Sequence, residues 1–263
     1  MRRPPIACLI VAAAGAARAQ TMLDQEQRLI EVHSLLVDMG ALNAPGAYRE
    51  RDLSLGLEVI VIPGIDGTTG GKRQITASDR TPVFPRLRLA LGLPAPEGFR
   101  ASVGIAYIPP IQLRDVSSHF AALEGEMAYA PGPLALGLRG HVLVARSMSP
   151  VTEPTVRDTL DNFEFGANAA AGYRLDFQPG SVTPYASIGI TRTVGIFRVT
   201  SDAYELSSRT TNPVLAGGVR FLARQRFEVV AELAAFPGRL VHPSFRVAWM
   251  PDWWSRPATP STP

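Results

Sequence analysis

Residues 85–107 read PRLRLALGLPAPEGFRASVGIAY, and the two halves of this stretch share one rhythm. Pro85, Leu87, Leu89, Leu91 and Leu93 alternate with Arg86, Arg88, Ala90 and Gly92. After a break at 94–97, Phe99, Val103, Ile105 and Tyr107 alternate with Arg100, Ser102, Gly104 and Ala106. A period of two is that of an extended strand, whose successive side chains point to opposite faces. Each strand therefore has one apolar face and one face mixing arginine with the smallest residues. Proline and glycine at the break suit a turn, so the pair predicts an antiparallel hairpin.

The rhythm continues on both sides. It predicts strands near 52–62, 83–93, 98–108, 117–129, 133–146, 162–177, 183–194, 213–223, 226–236 and 242–250. The connections alternate in length. Gaps 63–82, 109–116, 147–161 and 195–212 are long, with 237–241 a short fifth member of the same set. Gaps 94–97, 130–132, 178–182 and 224–225 are short throughout. In the fifth strand, Leu134, Leu136, Leu138, Val142 and Val144 oppose Ala135, Gly137, Arg139 and His141. In the sixth, Phe163, Phe165, Tyr173 and Phe177 oppose Glu164, Asn168, Gly172 and Arg174. A soluble barrel turns its apolar face inward, and here that would leave too little charge for water. The opposite assignment puts apolar residues outside and charge in the lumen. No apolar run is long enough for a membrane helix, so a closed barrel is the remaining way to satisfy a backbone inside a bilayer.

The ends agree. MRRPPIACLIVAAAGAARAQ has a basic start at Arg2 and Arg3, a short apolar core and a small-x-small site at Ala17-Arg18-Ala19, so residues 1–19 are expected to be a cleaved export signal. The core falls short of the roughly 20 apolar residues that span a bilayer. Cleavage would remove three arginines and the single cysteine, Cys8. Twenty-three basic and twenty-three acidic residues would remain, giving no reason to expect nucleic-acid binding. No thiolate metal site or disulfide framework is then expected.

Residues 20–40 are expected to form a periplasmic amphipathic helix. Thr21 and Asp24 suit its start and Gly40 its end; Met22, Leu29, Val32, Leu36 and Met39 make one apolar stripe. That stripe must be covered, by its own barrel or by a periplasmic partner. A linker, 41–51, leads to the barrel of 52–250, and 251–263 reads as a disordered Pro/Ser/Thr tail.

The expected lumen carries Glu58, Arg86, Arg88, Arg100, Glu124, Glu126, Arg139, His141, Glu164, Arg174, Arg220, Glu228, Glu232 and Arg246. Opposite signs fall on neighbouring strands: Glu58 beside Arg86 and Arg88, Glu124 and Glu126 beside Arg139, and Arg220, Glu228, Glu232 and Arg246 together. Guanidinium forks match carboxylates, and a lone buried charge is costly, so these groups are expected to pair and fill a narrow lumen. Gly104, Ala106, Gly166, Gly172 and Gly218 would leave room for the long arginines. Tyr107, Tyr129, Tyr173, Phe177 and Trp249 fall on the outer face and suit an interfacial girdle.

No catalytic, metal or cofactor site is expected. Gly64–Arg73 has glycines and a lysine, but Asp66 and Arg73 break the spacing of a phosphate-binding loop. Ser117, Ser118 and Asp115 lie close to His119 in sequence, which is not triad geometry. His33 belongs to the helix and His242 to a loop-side strand end. The ordered patterns of lipid A deacylases, outer-membrane phospholipases and omptin-type proteases are missing.

Over about 52–250 the chain resembles, by pattern, the broad class of small bacterial outer-membrane β-barrel proteins. That resemblance implies an antiparallel up-and-down transmembrane barrel of about ten strands (about eight to twelve), periplasmic termini, contact with outer-membrane lipid and insertion by the outer-membrane assembly machinery. One departure is that such chains usually end on an aromatic residue closing the last strand. Here Trp249 is followed by PDWWSRPATPSTP, so Trp249 with Trp253 and Trp254 would serve instead. The expected role is structural or surface-binding, through loops 63–82, 147–161 and 195–212. The alternatives are a narrow channel for ions or small solutes, an outer-membrane lipid hydrolase, and a soluble periplasmic lipid-binding barrel.

Overall fold

The computed structural model describes Ile30, Glu31, Leu35, Gly40 and residues 42–61, 83–113, 116–153, 155–201 and 203–251. Its strands are β1 (Leu53–Val61), β2 (Val83–Leu93), β3 (Phe99–Leu113), β4 (Val116–Tyr129), β5 (Leu134–Glu153), β6 (Val156–Tyr173), β7 (Leu175–Phe177), β8 (Gly180–Val199), β9 (Tyr204–Ala223), β10 (Phe227–Phe236) and β11 (Leu240–Trp249). Each pairs antiparallel with its sequence neighbours, except that β6 and β7 both pair with β8. The short β7 is the continuation of β6 beyond Arg174, so the eleven segments make ten staves. β1 closes the ring against β11, in register from Leu55 opposite Trp249 to Ile60 opposite Ser244. Closure leaves no free edge, as a backbone surrounded by hydrocarbon requires.

The alternation sorts side chains as the sequence predicts. Leu87, Ile105, Leu123, Leu138, Val142, Ile188, Leu233 and Val247 are exposed on the outer surface, Leu138 by as much as 68%. Arg86, Glu58, Glu228 and Arg246 are almost wholly buried inside. From the turn side upward, the first outward charges on β5, β6 and β8 are Arg146, Asp161 and Arg192. Each stands twelve residues from its strand's turn-side end, at Leu134, Tyr173 and Gly180 respectively. That is about 40 Å along a strand and about 30 Å along the axis at ordinary barrel tilt. Below them the outward strand positions hold no Asp, Glu, Lys or Arg. The band so defined has the height of a bilayer's apolar core.

The loop side differs from expectation. Of the connections predicted as long, 109–116, 147–161 and 195–212 are largely strand: β3 and β4 approach each other at 113 and 116, β5 and β6 at 153 and 156, and β8 and β9 at 199 and 204. The surface loops expected at 147–161 and 195–212 are therefore strand hairpins projecting past the apolar band. The sequence signal fades there because outward residues become polar once water replaces lipid. Cross-strand pairs hold these extensions: Arg146 Nε donates to Asp161 Oδ1 at 2.5 Å, Arg198 contacts Asp161, and Arg198 Nε donates to Glu205 Oε2 at 2.9 Å. A register shift between Ile108 and Ile111 coincides with Pro109 and Pro110, which lack the N–H a ladder needs. The expected loop 63–82 lies outside the described residues.

Most of the expected helix also lies outside them, as do the export signal and the tail. Its described residues do not sit on the periplasmic side. Ile30 is buried against Leu160, Phe197 and Val199, and Leu35 against Val214 and Phe236. Both clusters are inward and belong to the loop-side half of the wall. Arg239, in the β10–β11 turn, reaches Glu31 at 2.5 Å. The loop-side lumen mixes these apolar clusters with buried polar side chains such as Asn162, Thr193 and Asn212, and Ile30 and Leu35 rest on the apolar clusters.

Candidate functional site

Gly40, the expected helix end, and residues 42–50, within the expected linker 41–51, run through the lumen towards the turn side. Leu42 and Ala44 pack on Tyr185 and Val230, and Tyr48 on Ala90 and Met250. The segment is built of small residues (Ala44, Gly46, Ala47) that fit a bore this narrow. It crosses β2 so closely that a Cβ on Gly92 would lie 1.7 Å from the carbonyl oxygen of Arg49. Backbone bonds between Arg51 N and Gly92 O (3.0 Å), and between Gly92 N and Asp52 O (2.8 Å), fasten the crossing. This segment is called the strap below.

Around the strap the lumen charges form two chains. In the first, Glu58 bridges Arg86 and Arg88 (Arg88 Nη1 to Glu58 Oε2 3.2 Å), Arg88 Nε donates to Glu124 Oε1 at 2.8 Å, and Arg139 Nε donates to Glu124 Oε2 at 2.6 Å. Charge alternates along it, three cations enclosing two anions. The Arg86 guanidinium also lies over the Phe120 ring, 5.3 Å from its centroid. In the second, Glu228 accepts from Arg220 Nε at 2.6 Å and from Arg246 Nη2, which also donates to the Tyr48 hydroxyl at 2.8 Å. Tyr48 in turn donates to Glu228 at 3.3 Å. Burial pushes the Tyr48 hydroxyl above its ordinary range, with Arg246 pulling the other way, so it stays neutral as this dual role needs.

The remaining acids find other partners. Glu126 accepts from the Gly46 N–H at 2.6 Å, and Glu232 from the Leu42 N–H at 3.0 Å and the Tyr185 hydroxyl at 2.9 Å. Glu164 faces His141 Nε2 at 3.1 Å. Arg100 donates to the Gly46 carbonyl at 2.6 Å, Arg88 reaches the Gly40 carbonyl at 3.4 Å, and Arg174 pairs with Asp176 at the turn-side rim. The structure thus brings Glu58, Arg86, Arg88, Glu124 and Arg139 together, and Arg220, Glu228 and Arg246 together. It holds His141 with Glu164 apart from both. Glu126 does not pair with Arg139, nor Glu232 with an arginine; two strap N–H groups answer them instead. Gly104 gives space to Glu124, Gly166 to His141, Gly172 to Pro45 and Gly218 to the Tyr185 ring, rather than to arginines. Tyr48 and Tyr185 had no signal in the strand pattern beyond being phenols at positions able to face inward.

Ser118 and His119, close in sequence on β4, do not meet. His119 is exposed on the outer face, whereas Ser118 turns to Ser147, 3.0 Å away. His242 is buried, stacked on Phe236 and 3.3 Å from the Ser244 hydroxyl. Among the described residues no group of His, Cys, Asp and Glu is arranged to hold a metal ion.

Outside, aromatic side chains gather at the turn-side edge of the apolar band. Tyr129, Tyr173, Phe177 and Trp249 are there, joined by Phe99 (5.1 Å between ring centroids from Tyr129) and Phe221 (5.9 Å from Phe177). Tyr107 sits eight residues above Phe99 on the same strand. A closed wall with an uncharged apolar belt about one bilayer tall and ion pairs inside can be stable only in a membrane.

The chain is an outer-membrane β-barrel.

No family model matches it, and no curated protein resembles it in sequence. Solved structures with a similar course include the translocator domain of the autotransporter NalP from Neisseria meningitidis (10% identity, 90% of this chain, 97% of that one, TM-score 0.46). The β domain of the Bordetella autotransporter BrkA is 13% identical over 76% of this chain and 98% of that one, with TM-score 0.39. Ail, the attachment invasion locus protein of Yersinia pestis, crystallised with the heparin analogue sucrose octasulfate, is 11% identical over 76% and 97%, with TM-score 0.37.

Proposed function

We propose that this barrel is closed by its own strap and acts at the cell surface rather than as a conduit. The observation that carries this reading is the set of bonds from Gly40, Leu42, Gly46 and Tyr48 to Arg88, Glu232, Glu126, Arg100, Glu228 and Arg246. Buried carboxylates without partners cost several kcal/mol each, about 3–5 by analogy with broken buried pairs. Two of them are met by strap N–H groups, so wall and strap complete each other. With the bore occupied, the parts that meet the surroundings are the β5–β6 and β8–β9 hairpins, which extend beyond the apolar band and present Arg146, Asp161, Arg198 and Glu205. A structural or surface-binding role through those hairpins follows.

Planar-bilayer recording tests it. The full chain is expected to show no steady single-channel conductance, and a variant lacking residues 20–48 to open discrete conducting levels. Steady conductance in the full chain would favour the channel reading.

A further inference from the structure

At the turn-side mouth a cavity of about 500 Å³ lies behind the strap, open towards the periplasm. Arg49, Arg100, Arg174 and Arg220 line it, against two acids, Asp52 and Asp176. Two of these cations already have acids: Arg174 pairs with Asp176 and Arg220 with Glu228. Among the described residues no carboxylate lies within ion-pair distance of Arg100, whose Nη1 donates to the Gly46 carbonyl. Arg220 gives one nitrogen to Glu228, while its buried Nη2 has no hydrogen-bond partner although the side chain is only 5% exposed. Asp176 holds Arg174, and Asp52 takes the Arg49 N–H at 2.7 Å. Two guanidinium forks, on β3 and β9, thus have donors in hand around a space large enough for a small ligand.

We propose that this mouth is an oxyanion site that takes a phosphate group from the periplasmic side. Planar forks bind phosphate through paired N–H donors, and a buried donor left unmet is costly, so a guest in the cavity supplies acceptors to Arg100 and to Arg220 Nη2. The phosphate belongs to a soluble molecule or to a phospholipid headgroup of the inner leaflet; both offer the same oxygens. Met250 lines the cavity, so the residues that follow it in sequence are the competitor to exclude.

The test is calorimetric titration of inorganic phosphate and glycerol 3-phosphate into full-length protein in a phosphate-free maltoside detergent, with phosphatidylglycerol nanodiscs as the lipid arm. Binding that weakens with added salt, and about tenfold in Arg100→Gln and in Arg49→Gln, supports the site. Arg192→Gln on the outer face should leave it unchanged, and the boiling-dependent gel shift confirms that each variant is folded. Binding to both soluble probes identifies a soluble ligand; binding to nanodiscs alone identifies the headgroup. Absence of binding in every arm, or equal affinity in Arg100→Gln and Arg49→Gln, overturns the proposal. So does binding seen only after residues 252–263 are removed, which would give the cavity to the chain's own tail.

Discussion

Glu228 shows what a single lumen residue does. It accepts from Arg220, Arg246 and Tyr48 while almost wholly buried. Glu228→Gln keeps the shape and removes the charge, leaving two guanidinium groups facing a neutral amide. Breaking a buried pair in this way costs about 3–5 kcal/mol. The temperature at which the compact band converts to the unfolded one on a gel should fall markedly. Arg146→Ala, on the exposed ladder beyond the membrane, should leave that temperature unchanged, because solvent screens such pairs. The pairing of Glu58 with Arg86 and Arg88 was legible in the sequence, since neighbouring strands bring inward positions together. The partners of Glu126 and Glu232 were not, because a backbone N–H carries no residue-type signal.

At the scale of elements, the turn-side connections matched the prediction, whereas the loop-side connections 109–116, 147–161 and 195–212 are largely strand. Tight turns announce themselves through proline and glycine, as at 94–98. Strand extensions in water lose the apolar alternation that reveals a strand in lipid, so β5, β6, β8 and β9 read as loops beyond the membrane. The strap was equally silent: a run of small residues looks like a linker whether it lies outside or within a bore. Its seat can be tested at Gly92. An alanine there would put its Cβ 1.7 Å from the Arg49 carbonyl oxygen, against backbone that cannot swing aside. Gly92→Ala should displace the strap, speed tryptic cleavage at Arg49 and Arg51, and cost about 1–3 kcal/mol, as overpacking does. Cleavage no faster than in the unaltered chain would show that the strap does not depend on this crossing.

For the whole molecule, the belt is the property that separates a membrane barrel from a soluble one. Leu138 lies on the belt and is 68% exposed. Arginine at such a site costs about 2–4 kcal/mol near the bilayer midplane. Leu138→Arg should therefore lower the yield of folded protein in vesicles, while Gly132→Arg in a turn, where a side chain meets open space, should not. Equal yields for the two would remove the membrane as the reason for the belt. The outward belt, and a strand number of about ten, were legible in the sequence alone, because a period of two assigns each side chain to one of two faces without reference to distant residues. The course of Gly40–Tyr48 through the lumen, and the balance of charge around it, were decided only by the tertiary structure. A closed ring of inward carboxylates leaves acceptors that side chains do not all meet, and only inside that ring do the strap's N–H groups become their partners.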